Sequence, residues 1–300
     1  MLEKNKIINK ITLSLTENKI ENDYYSNIDG IIRQSLQDLA HKHQINGDTL
    51  NCFMAGDHVL GTNLTNSSPL IMFVSYKADR ATINAYEKAQ KMSKRAKSLM
   101  GSLQNNLITD KKIAHLLFET LTTYFDDKTK LFVDDNIVII NDGYLKIKVI
   151  VGYNFNGQFS YNYLGYYYEE NFLKTIEAFD QKDAETNGGF YHLARLFKSM
   201  EISLMEIGAL KSKIFDKLNF IEHLLYNVPS DLIKLNGEDF GASFYKALSY
   251  LKNCNLNDFK EAGSNEPMFN KETYATPYSL IKAKYFIKAI EYFYNNFEKF

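Results

Sequence analysis

Cysteine is scarce: Cys52 and Cys254 are the only two in 300 residues. They lie too far apart for any metal-ligand spacing and are too few for the disulfide framework of a secreted domain. Net charge is nearly absent, with 35 basic against 36 acidic residues. The whole-molecule field therefore neither gathers nor repels nucleic acid, and any anion site must be a local arrangement. No run of about 18 apolar residues occurs, which excludes a membrane-spanning helix. The segment MLEKNKIINK carries charges where a signal peptide would need an apolar core. The expectation is a soluble protein of the reducing cytoplasm, with no membrane partner. Also missing are a Walker loop and a nucleophile elbow. The six histidines do not fall in metal spacing: His41 and His43, two apart near a helix end, point apart, and His192 and His223 read as packing residues. What is present is 45% hydrophobic and 24% charged residues, enough for two packed units with ordinary cores.

Apolar residues recur at helical spacing from Glu3 to about Gln44, which predicts two helices interrupted near 18–22. Leu50 to Ala55 and Leu70 to Tyr76 read as strands, with a turn region from Gly56 to Ser68 between them. Arg80 to Leu103 predicts a long helix with a basic face, KAQKMSKRAKS, and Lys111 to Phe125 a further helix. Two alternating strands flank Asn141-Asp142-Gly143, a strong hairpin signal. Beyond about Tyr168 five amphipathic helical stretches follow, the first ending at Asn187-Gly188. Residues 255–277 read as the most loop-like segment. The fold class expected is α+β, a mixed sheet flanked by helices over 1–165 and a helical domain over 166–300.

The stretch MAGDHVLGTNLTNSSPLIMFVSY, Met54 to Tyr76, places glycines, a threonine and serines as a phosphate-handling turn would, followed by an apolar strand. In nucleotidyl transfer, two Mg²⁺ ions grip the triphosphate and three carboxylates hold the metals. Two of those acids sit at i and i+2 of one strand, because the strand period of two puts both on one face. The turn upstream offers backbone N–H groups and a hydroxyl to the phosphates.

These pieces resemble the polymerase-beta-type nucleotidyltransferases, in particular the bacterial branch related to cyclic-oligonucleotide synthases and oligoadenylate synthases. The family reads Gly-Ser, Gly-Thr and then Ser-Asp-x-Asp. Here Gly56-Asp57 stands for the first, Gly61-Thr62 matches the second, and Ser68-Pro69-Leu70-Ile71 stands for the third. The resemblance implies that Pro69 and Ile71 occupy the seats of the paired acids. Aligning Val151-Gly152-Tyr153 with the family's Val-Pro-Ala puts the third seat at Val149. AETNGGFYHLARLFKSM is similar to the family's helix whose basic residues face the triphosphate, here Arg195 and Lys198, and FIEHLLYNVP to the helix after it.

The resemblance implies a nucleotidyltransferase-like fold, with Gly56, Asp57, Thr62, Ser68, Arg195 and Lys198 as candidates for nucleotide or phosphate contact. Proline and isoleucine offer no oxygen to a metal, so no catalytic residue, metal or cofactor is expected. A carboxylate at Asp57 would repel phosphate by roughly 4 kcal/mol per unit charge at about 4 Å and an effective dielectric of about 20, and Lys198 and Arg195, as exposed charges, would return little of it. The leading expectation is thus a catalytically inactive module of a bacterial antiphage or toxin-antitoxin-like system, assembling with itself or a protein partner and holding a nucleotide or RNA in its cleft. The alternative is an active Mg²⁺-dependent nucleotidyltransferase using other acids, with Asp79, Asp134, Asp135 and Asp142 as the ones within reach. An RNA-binding scaffold is a third. The aromatic run Tyr161 to Phe172 and the basic helix Lys88 to Ser98 have uses in base stacking or RNA contact. Packing and a solvated helix face are the commoner uses.

Overall fold

The computed structural model describes residues 22–45, 50–57, 59–60, 62, 69–77, 110–143, 145–155, 158–163, 166–210, 219–235, 240–269 and 279–296. The helices expected before residue 18 and over 80–103, including the basic face, lie outside these residues, as do Gly61, Ser68 and Asp79.

The chain divides into two compact units. The first to be described spans 20–54 and 69–170 and is built on a mixed sheet. Its strands are β1 (Leu50–Ala55), β2 (Leu70–Lys77), β3 (Lys130–Asp134), β4 (Ile137–Asn141), β5 (Lys146–Phe155), β6 (Gln158–Tyr163) and β7 (Tyr166–Glu170). The order is β1-β2-β5-β4-β3, and the far end of β5 also pairs with β6, which carries β7. β2 and β5 run parallel, with Leu70 beside Ile147, Ile71 beside Lys148 and Met72 beside Val149. β3 with β4, β4 with β5, β5 with β6 and β6 with β7 pair antiparallel. The hairpin expected at Asn141-Asp142-Gly143 is present: Gly143 takes φ +87°, and the Asn141 and Asp142 side chains accept from Gly143 N and Leu145 N. A second hairpin, β3 to β4, turns at Asp135 with φ +55°.

Two helices, α1 (Asn22–Lys42) and α2 (Asp110–Leu121), cover one face of this sheet. Their apolar stripes, Ile28, Ile32, Leu36 and Leu39 on one and Ile113, Ala114, Leu117 and Leu121 on the other, recur every three or four residues as a helix face requires. They pack with Leu70, Met72, Val74 and Tyr76 of β2 and Ile147, Val149, Val151 and Tyr153 of β5. Alternation then sends Ile71, Phe73 and Ser75 to the other face, where Phe73 meets Phe53, Phe159 and Tyr161 with ring centroids 4.8 to 5.5 Å apart. Gly152 belongs to this crowded face: a Cβ there would lie 2.4 Å from the Ser160 carbonyl oxygen.

The other unit contains 55–68 and 171–300. Its helices are α3 (Phe172–Glu185), α4 (Gly189–Glu206), α5 (Phe220–Tyr226), α6 (Ser230–Ile233), α7 (Phe240–Asn253) and α8 (Leu280–Asn296). Asn171 caps α3 by accepting from Lys174 N. The chain turns into α4 through Asn187 and Gly188, both at positive φ, as the Asn-Gly signal predicts. The core gathers around α4, whose Phe190, Leu193, Ala194, Phe197 and Met200 are each at most 2% exposed, and it takes in Leu60 from the turn region. Residues 55–68 are grouped with the helices, and the division falls near 170. The mixed sheet with helices and a helical C-terminal domain is the fold class the sequence implied.

Candidate functional site

The turn after β1 is tightly self-bonded. Gly56 takes φ +80° and its carbonyl accepts from Val59 N and Leu60 N at 3.1 and 3.2 Å, while the Asp57 carbonyl accepts from Thr62 N at 2.9 Å. Those three amides, of the kind expected to face phosphate, are spent inside the turn.

Its side chains meet two helices. Lys198 of α4 donates to Asp57 Oδ1 at 2.8 Å, to Thr62 Oγ1 at 2.7 Å and to Glu222 Oε1 of α5. Thr62 Oγ1 in turn donates to Glu222 Oε1 at 2.7 Å. An ammonium has three N–H donors and no acceptor, so Lys198 is saturated. Its side chain is 12% exposed, Glu222 is fully buried, and Asp57 is 23% exposed. Burial alone would lower the Lys198 pKa, but Asp57 and Glu222 outweigh it and hold the value above the ordinary lysine range. Lys198 is the cation that two neighbouring carboxylates share.

Arg195, one helical turn earlier, is engaged elsewhere. Its Nη2 lies 2.9 Å from His192 Nδ1. Burial, and then the Arg195 charge, hold His192 below its usual pKa. The ring is therefore neutral at pH 7 and accepts the guanidinium proton. Asp183 of α3 also lies in the field of Arg195, and it accepts from Tyr191 N at 2.9 Å. Arg195 and Lys198, the pair expected to face phosphate, are thus both largely buried, each with its own protein partners. The expected repulsion from Asp57 is changed as well, because Lys198 is a largely buried counter-ion 2.8 Å from it rather than an exposed charge. Glu222 was not singled out by sequence. Its only signal is an acid inside the apolar helix Phe220–Tyr226.

On the sheet, Pro69 is half-buried and Ile71 is buried. Val149 does not share their face: it points into the helix-covered core beside Met72, and the β5 residue beside Ile71 is Lys148. The third seat inferred at Val149 therefore fails the register, and a lysine stands next to Ile71. Alternation in Leu145-Lys146-Ile147-Lys148-Val149 carried this information, since its apolar residues fall on one face and its lysines on the other.

Asp135 pairs with Lys111, and Asp142 accepts from Tyr24 Oη and Leu145 N. Among the described residues, no group of three His, Cys, Asp or Glu is placed to hold a metal. His223 Nδ1 accepts from Ala262 N at 3.0 Å, with its ring against Phe179. Tyr161 is packed among Phe73 and Phe159 rather than presented to a base. Burial pushes the Cys52 thiol up to about 12. No helix of the described residues is long and apolar enough to cross a membrane.

Residues 177–295, less than half of the chain, match the family model of the cGAS/DncV-like nucleotidyltransferase C-terminal helical domain. No curated protein matches. Among solved structures, the CdnE c-UMP-AMP synthase of Rhodothermus marinus, with Apcpp and Upnpp, superposes with a TM-score of 0.64 at 16% identity, over 88% of this chain and 90% of that one. The CdnE cyclic dinucleotide synthase of Elizabethkingia meningoseptica, with GTP and Apcpp, gives 0.61 at 13%, over 87% and 91%. CdnC of Escherichia coli MS115-1, in complex with HORMA-deltaN, gives 0.55 at 16%, over 93% and 85%. The chain therefore has the fold of these bacterial synthases from its sheet to its last helix, with residues 177–295 matching the helical domain of the cGAS/DncV-like nucleotidyltransferases.

Proposed function

We propose that this chain is a nucleotide-recognising member of the cGAS/DncV-like nucleotidyltransferase group, working in bacterial antiphage signalling. The observation that carries the reading is its co-extension with CdnE, over 88% of this chain and 90% of that one, together with the helical-domain match. The comparisons favour synthesis over the inactive module, because the two CdnE neighbours are nucleotide-bound synthases. CdnC in complex with HORMA-deltaN supports a protein partner as well.

A second reading, recognition without turnover, rests on a specific observation. The sheet face that would present paired acids carries Ile71 and Phe73 on β2, with Lys148 beside Ile71 on β5. A cation in that position opposes Mg²⁺ rather than holding it. Nucleotide recognition is common to both readings, and turnover is what separates them. The experiment is to titrate the full chain with each of the four NTPs by calorimetry, then assay pyrophosphate release with Mg²⁺ and Mn²⁺. Saturable binding with a preference among bases is expected under both readings, and silence in the pyrophosphate assay under the second alone. Pyrophosphate release would replace the second reading by the synthase, and failure of every nucleotide to bind would remove both.

A further inference from the structure

We infer that Asp57 is a built-in phosphate surrogate, a carboxylate that occupies the outward N–H donor of Lys198 and keeps the terminal phosphates of a nucleotide from it. The inference rests on the nucleotide reading above and names how that site is regulated.

Three observations carry it. The first is donor arithmetic: Lys198 gives its three protons to Asp57, Thr62 and Glu222, so an incoming phosphate must displace one of them. The second is access. Glu222 is fully buried whereas Asp57 is 23% exposed, so Asp57 is the member that solvent, and a ligand arriving from it, meets. The third is redundancy. Two carboxylates surround one ammonium, and Glu222 suffices to neutralise it. Thr62 bonds both Lys198 and Glu222, so these three hold together without Asp57.

The Asp57 carbonyl accepts from Thr62 N and the Gly56 carbonyl from Val59 N and Leu60 N, so the turn backbone is pinned independently of the carboxylate. Rotation about the Asp57 side-chain bonds then frees the Lys198 donor without breaking these backbone bonds of the turn. Opening exchanges one charge-assisted hydrogen bond for another and relieves the net charge of the cluster, which otherwise repels an anion. A resident anion that must be displaced weakens binding without abolishing it, so the closed form is a threshold on nucleotide entry.

The test uses the full-length protein and inorganic tripolyphosphate, which isolates the phosphate contact from any base contact. Asp57→Ser and the near-isosteric Asp57→Asn should each bind tripolyphosphate roughly 10- to 100-fold more tightly than the wild type, the range set by one charge-assisted hydrogen bond. Adding Lys198→Gln to Asp57→Ser should remove the gain, with circular dichroism checking that each variant is folded. Equal affinity in the wild type and both Asp57 variants overturns the surrogate, and the nucleotide reading survives if ATP still binds better than tripolyphosphate. Absence of tripolyphosphate binding in folded Asp57 variants overturns it too. A Lys198-dependent gain for tripolyphosphate with no additional affinity for any NTP upholds the surrogate and removes the nucleotide reading.

Discussion

Lys198 shows how a single side chain decides the character of a site. The sequence singles it out with Arg195, because a helix brings positions three apart to one face. It does not reveal that the two have different partners, since the Asp57 and Glu222 that hold Lys198 lie 141 and 24 positions from it. Removing the cation should be costly. Lys198→Met leaves Asp57 beside a fully buried Glu222, and loss of one member of a buried ion pair costs about 3 to 5 kcal/mol. Glu222→Gln keeps an acceptor for Lys198 and Thr62 while Asp57 still balances the ammonium, so its cost should stay near 1 kcal/mol. Urea unfolding of the two variants checks the ordering, and a Glu222→Gln as damaging as Lys198→Met would contradict it. There is a pH signature as well. A lysine pKa raised in the folded state contributes stability that is fully present below the ordinary lysine value and is lost as pH climbs through the folded value. Wild-type stability should therefore fall at strongly alkaline pH by a component that Lys198→Met lacks.

At the level of strands the sequence was legible in outline and misleading in one register. The strands β1, β2 and β5, the Asn-Asp-Gly hairpin and the helical spacing of α1 and α2 are read directly, since each is a local signal, whereas β3 and β4 read as one strand and β6 and β7 do not read as strands. The facing of β2 could not. Leu70 to Tyr76 is buried on both sides, and a continuous apolar run hides its own alternation. The facing of β5 was available in its lysine alternation, but the motif alignment placed Val149 in the third seat against it. The register predicts an asymmetry. Val149→Asp puts a carboxylate into the helix-covered core at a position with no exposure, and should cost more than about 3 kcal/mol. Ile71→Asp enters a 5% exposed position beside Lys148, so it should cost less than Val149→Asp. Cross-strand partners on one face contribute roughly 0.2 to 1 kcal/mol. Adding Lys148→Ala to Ile71→Asp should deepen the loss by that amount, while adding it to Val149→Asp should be neutral. The reverse pattern in urea midpoints would show that Val149, not Lys148, is the neighbour of Ile71.

Over the whole molecule, the division into units is not the division of the chain. A boundary drawn by composition falls where strands give way to helices, because composition is read along the sequence and packing is not. Residues 55–68 are flanked by β1 and β2, yet Leu60 joins the helical core at 5% exposure and Asp57 and Thr62 bond Lys198. The helical unit is thus discontinuous, and cutting the chain at its apparent boundary removes part of that unit. An excised 171–300 fragment should be less stable than the same helices in the full chain, because Lys198 keeps only Glu222 and the core loses the Leu60 side chain. Truncation of a buried leucine to alanine costs about 2 to 5 kcal/mol, so Leu60→Ala in the full chain should reproduce a large share of the loss without any cut. Hydrogen exchange locates the effect. Amides of α4 and α5 should lose protection in the fragment and, to a lesser degree, in Leu60→Ala, while α7 and α8 change less because their core contacts come from within 171–300. Equal protection of α5 in fragment and full chain would mean that residues 55–68 rest on the helical unit without supporting it.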